Sequence, residues 1–587
     1  MAASRAGAAT LDRSAATAVE RRRLLTVWMV AAAPLVWIPG GFTRFVFAKL
    51  LVTALACAVG ATLPRVGRLP RPIVVTLAVG AGLLTVAALV GDTPVASLVG
   101  RWPRYEGLPV LLTYAAAAWL GARVVGRGPV RTLYVAHALS GMALVLFLFS
   151  LLDVAGHSPL GPSTLDRSGS LLGNATDQGL VAMMSAAVIG ALLLQHRDSL
   201  LLSGFAASLA TVAFSGSRTA LGLTAVALVA LVVVRQRRLL PVALVSVAAM
   251  LVVALLVPIT RDRLLTGATA SGRVTQWRLT LDLLAGHPWL GVGPSRYVDA
   301  FGRYESAEFV RFTGPSTLAD SPHQLLLQVA AAGGVPLLLC FLVLLVLLVR
   351  RGLEVLREHP EAWGLAAAAG SYGLALMVNF TAAGPTCLAA FLAGALIAEE
   401  VAPEALAEAR WRRLVAPTAF AVAALVFLAS CVSEVLLQQG VDAAAHNKRQ
   451  VARSQIDGAH RWRPLDGDVA MLGAQAMAGL TDGGVRSAAK DARALAEESL
   501  DRTPDAYQAR VALGVALIAQ GELEQARTEL DRAVGLFPRR PDAYIQRAIA
   551  RYGLQDADGA LDDLRTAQDI DPRSAAVRRL LAAIGQG

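Results

Sequence analysis

Charged residues are scarce in this sequence. Only 17% of its 587 residues are Asp, Glu, Lys or Arg, whereas 55% are hydrophobic, and the mean hydropathy is +0.54. A water-soluble fold of this length needs charge over its whole surface, and long stretches here carry none. The deficit excludes a soluble enzyme and a disordered chain as descriptions of the whole protein, and it indicates a membrane protein.

Cysteine is scarce too, and every cysteine lies in an apolar run. The four are Cys57, Cys340, Cys387 and Cys431, at spacings that match no metal-ligand motif. The pattern indicates neither a disulfide framework nor a zinc site. We predict no metal and no cofactor for this protein.

Long apolar runs fill most of the first 440 residues. About thirteen of them have roughly the 17–25 residues needed to cross a bilayer core. They lie near 24–40, 45–63, 73–90, 108–122, 132–153, 178–195, 199–214, 219–234, 239–258, 324–349, 362–381, 385–400 and 414–437. We predict an all-α fold: a polytopic bundle of about 13 transmembrane helices that follows a cytoplasmic tail at residues 1–23.

Arginine concentrates in alternate loops between these runs. The loops concerned are 65–71, 123–131, 235–238, 350–357 and 410–413. The positive-inside rule predicts that they face the cytoplasm, which places the C-terminal region on the outer side of the cytoplasmic (inner) membrane. The same placement accounts for the net charge of +11, so we predict the lipid bilayer as a partner and no nucleic acid.

A period of 34 residues marks the C-terminal part of the chain. Pro504, Pro538 and Pro572 are spaced by this step, as are Ala526 and Ala560. Both the period and the small residues are typical of tetratricopeptide repeats. We predict an extracytoplasmic α-solenoid over residues 470–587, after a linker at 438–469. Two roles stay open for it: a surface that binds a protein partner, and an appendage that steadies the membrane part.

The most informative motifs surround a large loop, residues 259–322, which the topology places outside. SGSRTALG precedes the loop at 215–222, and the loop contains Arg273, Trp277 and HPWLGVG at 287–293. His323 then stands at the start of the next apolar run. In this order the motifs resemble the bacterial O-antigen ligase and O-antigen polymerase family of membrane glycosyltransferases. Gln324 follows the histidine where that family usually has asparagine.

The resemblance implies a GT-C-like fold for residues 24–437 and a transfer reaction. The implied donor is a glycan on undecaprenyl diphosphate, and the implied acceptor is a hydroxyl group of a lipid, a protein or a growing glycan on the outer face of the membrane. A ligase and a polymerase differ only in the acceptor, and these motifs do not separate them. The outward repeats slightly favour a ligase or protein glycosylation.

The chemistry of such a transfer narrows the candidate residues. A departing diphosphate has to be stabilised by a divalent metal or by several cations, and the outside loops carry no acidic metal-binding cluster. Arg218, Arg273 and Arg278 are the available cations, and guanidinium suits bidentate contact with phosphate oxygens. We therefore predict a metal-independent enzyme in which these arginines bind the diphosphate and Arg218 takes part in catalysis.

His323 is the predicted general base. Asp320 or Ser321 can cap the following helix and Pro322 suits its first position, which would put His323 in the first turn. The positive end of a helix favours neutral imidazole, the form that accepts a proton from a hydroxyl group. The alternative is that His323 only caps the helix or forms a hydrogen bond in the loop.

Further polar and aromatic residues of the outside loops are predicted to line a cavity. Arg104 and Glu106 either pair with each other or place Arg104 on the substrate, and Trp277 is either an interfacial aromatic or a platform for a sugar ring. The predicted lining residues are Arg104, Glu106, Arg167, Asn174, Trp277 and Gln324.

Two other functions are compatible with the sequence. A flippase or transporter of lipid-linked sugars would also need arginines that face a diphosphate. A non-catalytic membrane scaffold would use only the repeat domain. Arg218, Arg273 and His323 on one side of the membrane favour the transferase over a scaffold.

Overall fold

The computed structural model describes residues 2–126, 128–158, 160, 171–265, 269–401 and 412–584. The first eighteen helices belong to the membrane part. They are α1 Ala2–Ala32, α2 Phe47–Thr62, α3 Arg71–Val90, α4 Pro94–Val99, α5 Leu108–Val124, α6 Pro129–Val154, α7 Ala175–Leu193, α8 Ser199–Ser215, α9 Arg218–Arg235, α10 Leu240–Leu256, α11 Pro258–Leu265, α12 Thr269–Gly286, α13 Tyr297–Ala300, α14 Ala307–Thr313, α15 Leu325–Glu358, α16 Trp363–Ala375, α17 Ala383–Ile397 and α18 Arg412–Ala445. Two-residue strands β1, Gly67–Arg68, and β2, Glu399–Glu400, pair antiparallel.

Every predicted apolar run overlaps one of these helices, although the runs at 24–40 and 362–381 extend beyond the ends of α1 and α16. Within the described residues, seven helices are long and apolar enough to cross a membrane, and four shorter apolar helices accompany them. The seven are α3, α6, α7, α9, α10, α15 and α18, and the shorter four are α2, α5, α8 and α17. The protein is therefore predominantly helical and multi-pass, while the number of about 13 spans stays a prediction.

Helix α7 lies at the centre of the bundle. Nearly all of its residues are buried, and α6, α8, α9 and α16 pack around it. In contrast, α3 and α10 expose large apolar side chains such as Val75 and Leu256. A helix that exposes apolar residues is stable in lipid, so α3 and α10 form part of the lipid-facing surface.

Helices α5 and α17 approach each other through glycine. A Cβ atom at Gly394 would overlap the carbonyl oxygen of Ala118, and a Cβ at Gly121 would overlap that of Phe391. Small residues at such crossings allow two membrane helices to come into backbone contact. This contact fixes the position of α17 and of the segment that precedes it.

We expect the substitution Gly394→Ala to lower the apparent melting temperature of the detergent-purified protein. The added methyl group overpacks the helix crossing, a change that costs about 1–3 kcal/mol. Gly370→Ala is the matched control, because nothing lies within 4 Å of a Cβ at that position on α16. The control is expected to melt at or above the native temperature. Equal melting of both variants would show that the crossing tolerates a larger residue.

Helix α15 is broken where the HPWLGVG segment meets it. Gly333 and Gly334 have non-helical backbone angles, with a φ of 70° at Gly334. The N–H group of Val335 donates to the carbonyl oxygen of Pro288 at 2.8 Å, and that of Val292 donates to Ala331 at 2.8 Å. The segment thus supplies hydrogen bonds at the break and fixes the position of the first part of α15.

Helix pairs make up the C-terminal part. They are α19 Arg449–Trp462, α20 Gly467–Asp482, α21 Ala489–Arg502, α22 Tyr507–Gln520, α23 Leu523–Leu536, α24 Pro541–Gly553, α25 Ala557–Ile570 and α26 Ala575–Ile584. The periodic prolines 504, 538 and 572 each follow the second helix of a pair. A Cβ at Gly514 would lie 2.7 Å from Leu530, so this glycine allows α22 and α23 to pack closely. The predicted linker contains the end of α18 and all of α19.

Candidate active site

His323 lies in a short segment that α12 holds against the start of α15. The Gln276 side chain donates from Nε2 to the carbonyl oxygen of Ser321 at 2.7 Å, and Trp277 donates from Nε1 to that of Pro322 at 3.0 Å. Trp277, predicted to line a cavity or lie at the interface, therefore fixes the backbone next to His323.

The capping of α15 differs from the prediction. Gln324 is the N-cap residue, and its Oε1 accepts a hydrogen bond from the N–H of Leu327 at 2.6 Å. His323 precedes the cap with a φ of 53°, in the left-handed region. The placement of His323 in the first helical turn, with Asp320 or Ser321 as cap, is therefore wrong. Asp320 and Ser321 are preferred cap types, but the carbonyl groups of Ser321 and Pro322 are bonded to α12, and the helix begins after Gln324 instead.

The His323 ring is enclosed by an aromatic ring and two cations. It makes an edge contact with Phe380 at 4.9 Å between ring centroids, and its Nδ1 is buried without a hydrogen-bond partner among the described residues. Burial, with smaller contributions from Arg273 and Arg104, lowers the pKa of His323 to about 3. The imidazole is neutral at pH 7 and able to accept a proton.

Arg273 and Arg104 reach the segment between α16 and α17 from two sides. Arg273, on α12, donates to the carbonyl oxygen of Val378. The guanidinium of Arg104 lies over the ring of Phe380, with Cζ 4.5 Å from the centroid. Since His323 contacts the same ring, residues far apart in sequence meet here.

Arg263, on α11, lies close enough to both Arg218 and Arg273 to interact with their charges. Arg218 is the first residue of α9 and donates to the carbonyl oxygen of Arg263. Burial and the charge of Arg218 lower the pKa of Arg263, and burial and the charge of Arg263 lower that of Arg273. Such mutual repulsion is typical of a site that binds an anion. Sequence reasoning missed Arg263, although it lies in the predicted outside loop, residues 259–322, together with Arg273 and Arg278.

The remaining predicted site residues lie elsewhere or have other contacts. Arg278 is exposed and, five residues beyond Arg273, faces about 140° away around α12. Asn174 caps α7, its Oδ1 accepting from the N–H of Thr176 at 2.8 Å. Arg167 lies outside the described residues. The structure thus brings Arg273 and Arg104 to His323, whereas the exposed Arg218 reaches this group only through Arg263. It does not bring Arg278 to them.

Glu106 is the centre of a hydrogen-bond network. Its carboxylate accepts from Arg104 at 2.5 Å, Thr381 Oγ1 at 2.5 Å, Gln328 Nε2 at 2.8 Å and Tyr114 OH at 3.1 Å. Arg104 and Glu106 therefore form the ion pair that was one of the two predicted arrangements. Gln328 and Thr381 were missed. Gln328 repeats the polar character of Gln324 one turn later, whereas no sequence signal identifies Thr381.

An apolar groove begins at this network. The cavity has a volume of about 410 Å³, and Glu106, Asp320 and Gln328 line one end of it. It continues between α3, α5, α15 and α17 over apolar side chains to Leu69 and Leu348. Burial raises the pKa of Asp320, against the opposing charge of Arg104. The groove offers a hydrocarbon chain a binding surface that ends in charged and polar groups.

Family models match two parts of the chain: an O-antigen ligase model at residues 203–342 and a tetratricopeptide repeat model at 486–552. The predicted resemblance is confirmed. The ligase match includes Arg218, Arg263, Arg273 and His323, whereas Arg104 and Glu106 lie before it. The chain thus contains a region that matches the O-antigen ligase model, followed by a region that matches tetratricopeptide repeats. Among the described residues, no group of three or more His, Cys, Asp or Glu side chains is arranged to hold a metal ion.

Several solved structures similar to the chain are repeat proteins. The first repeat domain of human RPAP3 is 19% identical, with 20% of this chain and 90% of that one covered and a TM-score of 0.19. TTC0263, a protein of Thermus thermophilus, is 21% identical, with 26% and 84% covered and a TM-score of 0.23. YrrB, described as having an unusual peptide-binding site, is 19% identical, with 29% and 85% covered and a TM-score of 0.23. A search of curated proteins found no match.

Proposed function

We propose that the protein transfers a glycan from undecaprenyl diphosphate to a hydroxyl acceptor on the outer face of the cytoplasmic membrane, without a metal ion. The observation that carries the proposal is a neutral, buried histidine beside Arg273 and Arg104, next to the end of an apolar groove that Arg104, Glu106 and Asp320 line. The histidine supplies a base, the arginines supply a site for the leaving diphosphate, and the groove supplies a surface for the lipid.

In the proposed reaction the acceptor oxygen attacks the anomeric carbon of the donor sugar. The bond from that carbon to the diphosphate oxygen breaks, so the configuration is inverted and undecaprenyl diphosphate leaves. His323 takes the proton of the acceptor hydroxyl on its neutral imidazole ring. Arg218, Arg263 and Arg273 bind the diphosphate and stabilise the negative charge that it gains. The polyprenyl chain lies in the apolar groove.

The Glu106 network supports this arrangement by holding the segments around His323. Four donors converge on one carboxylate, and the network joins α5, α15 and the segment before α17. A charge held in this way keeps Arg104 and Phe380 in fixed positions beside His323. The loop arginines at the opposite helix ends, such as Arg123 and Arg131, support the proposed orientation because they follow the positive-inside rule.

We expect the purified protein to transfer the glycan in detergent with EDTA present. The measurement follows both products, the released undecaprenyl diphosphate and the glycosylated acceptor. A panel of acceptors distinguishes the subclasses: a lipid core or a protein for a ligase, and a second lipid-linked repeat unit for a polymerase. Activity that disappears with EDTA and returns with Mg²⁺ would contradict the metal-independent mechanism. Absence of transfer to every acceptor, with movement of the donor across vesicle membranes, would indicate a flippase.

A further inference from the structure

The repeat domain is attached to the membrane part by more than the continuous helix α18. Asp468, at the start of α20, forms an ion pair with Arg101 and accepts the backbone N–H of Trp102 at 2.6 Å. Arg101 in turn donates to both carboxylate oxygens of Asp299, at 2.8 and 2.9 Å. All three charged side chains are almost completely buried.

Two more ion pairs extend this interface along the solenoid. Arg296 donates to Asp505 at 2.5 Å, and Arg540 binds Glu305 through its Nε at 3.0 Å. The side chains of Arg540 and Glu305 are 1% and 0% exposed, so this pair is not a surface salt bridge. Arg540 also donates to the carbonyl oxygen of Pro315 at 2.9 Å.

Apolar contacts surround the Arg540 pair. The ring of Phe537 covers Gly302 so closely that a Cβ at this glycine would overlap it. Leu318 packs against the cluster that contains Tyr507 and Phe537. The solenoid and the loop after α12 therefore share a buried interface. A buried charge in it is stable only when its partner is in place.

The two segments that the repeat domain contacts also contain residues of the candidate active site. Arg101 and Trp102 belong to a closed loop that also contains Arg104 and Glu106. Its ends touch, because a Cβ at Gly107 would lie 2.5 Å from the backbone nitrogen of Gly100. Residues 305–318 are followed directly by the segment that contains Asp320 and His323. Both segments reach the groove within a few residues of their contacts with the repeats.

We propose that the repeat domain positions the active site, with Asp468 as the positioning residue for the loop 100–107 and Arg540 for the segment 305–323. This inference rests on the proposed transferase function. It gives the repeats a role inside the enzyme: they hold the Arg104–Glu106 pair and the approach to His323 in the geometry of the reaction, where a small misplacement costs rate.

The test compares Asp468→Asn with Asp563→Asn in the full-length protein. Asp563 is a matched control, since it is equally buried and bonds Arg547 at 2.6 Å within the repeat domain, away from the loops. Hydrogen–deuterium exchange reports the order of residues 100–107, and steady-state kinetics reports kcat and KM for the donor. We expect Asp468→Asn to speed exchange in this loop and to lower kcat/KM by about tenfold.

The control is expected to speed exchange only in α24 and α25 and to keep transfer within about twofold of native. Native exchange and kinetics for Asp468→Asn would overturn the proposal, as would an equal loss of transfer in the control. If Asp468→Asn does not fold, Asp505→Asn takes its place, because Asp505 is one-third exposed and its loss is milder. Asp505 bonds Arg296, which shares Asp299 with Arg101, so this variant reaches the loop 100–107 through one further ion pair. Exchange is measured without turnover, so failure of the transferase function leaves this test intact.

Discussion

Replacement of His323 by alanine is expected to reduce transfer by about 10²–10⁴-fold, the usual contribution of general-base catalysis. The expectation follows from the position of the ring beside Phe380 and from its neutral state at pH 7. Donor binding should change little, because the arginines that hold the diphosphate stay in place. Initial rates at saturating donor, together with KM, separate these two effects.

His287→Ala is the control for this substitution. His287 lies in the same loop region, is exposed, and its Nδ1 contacts the carbonyl oxygen of Leu283 at 3.1 Å. Its replacement is expected to leave transfer close to native. A His323→Ala variant within threefold of native would remove His323 from the mechanism, whatever the control shows.

The pH dependence of the same reaction gives a second check on His323. A base whose pKa is about 3 is deprotonated throughout the range from pH 5 to 8, so transfer should not fall as the pH is lowered across the ordinary histidine range. The loss is expected only at more acidic pH, as the ring becomes protonated. A decrease centred near pH 6.5 would mean that the base is not enclosed as the structure has it.

The sequence predicts the helices well because a bilayer imposes a simple length rule. Each apolar run overlaps a helix, and the 34-residue spacing of Pro504, Pro538 and Pro572 marked the helix pairs of the repeats. Both signals are local in sequence. The order of Arg218, Arg273 and His323 also indicated the family, because short motifs keep their order whatever the packing between them.

The network around Glu106 had no comparable signal. Its partners come from α5, α15 and the segment before α17, and a lone threonine such as Thr381 has no spacing that distinguishes it. The interface with the repeats was missed for a similar reason. Arg101, Asp299 and Asp468 each resemble solvated charges in sequence, and only packing reveals that they are buried together.

The start of α15 illustrates a different limit. Asp320 and Ser321 belong to the residue types preferred as N-caps, whereas Gln324, the actual cap, does not, so the sequence favours the wrong start for this helix. Hydrogen bonds from Gln276 and Trp277 decide among them, since they fix the carbonyl groups of residues 321 and 322. The predicted helix start was a few residues too early, so His323 lies before the helix and not in its first turn. Its proposed role as the base does not change.

Arg273→Ala is expected to reduce kcat/KM for the lipid-diphosphate donor by about 10²–10³-fold, the range seen when one group that stabilises a developing negative charge is removed. Arg273→Lys should recover only part of the loss, because an ammonium cannot make bidentate contact with phosphate oxygens. Arg278→Ala, on the exposed face of the same helix, is the comparison. If Arg278→Ala lowers kcat/KM as much as Arg273→Ala does, the diphosphate-binding site includes Arg278, as the sequence predicted.

Arg273→Ala should also alter the pH profile. The charge of Arg273 helps to lower the pKa of His323, so its removal raises that pKa toward the ordinary value. Because the ring then gains a proton at higher pH, the acid loss of transfer should move to higher pH in Arg273→Ala and stay in place in Arg278→Ala. A lower rate with an unchanged pH profile would show that Arg273 binds the donor but does not affect the pKa of His323. Diphosphate binding and the lowering of that pKa would then belong to different arginines.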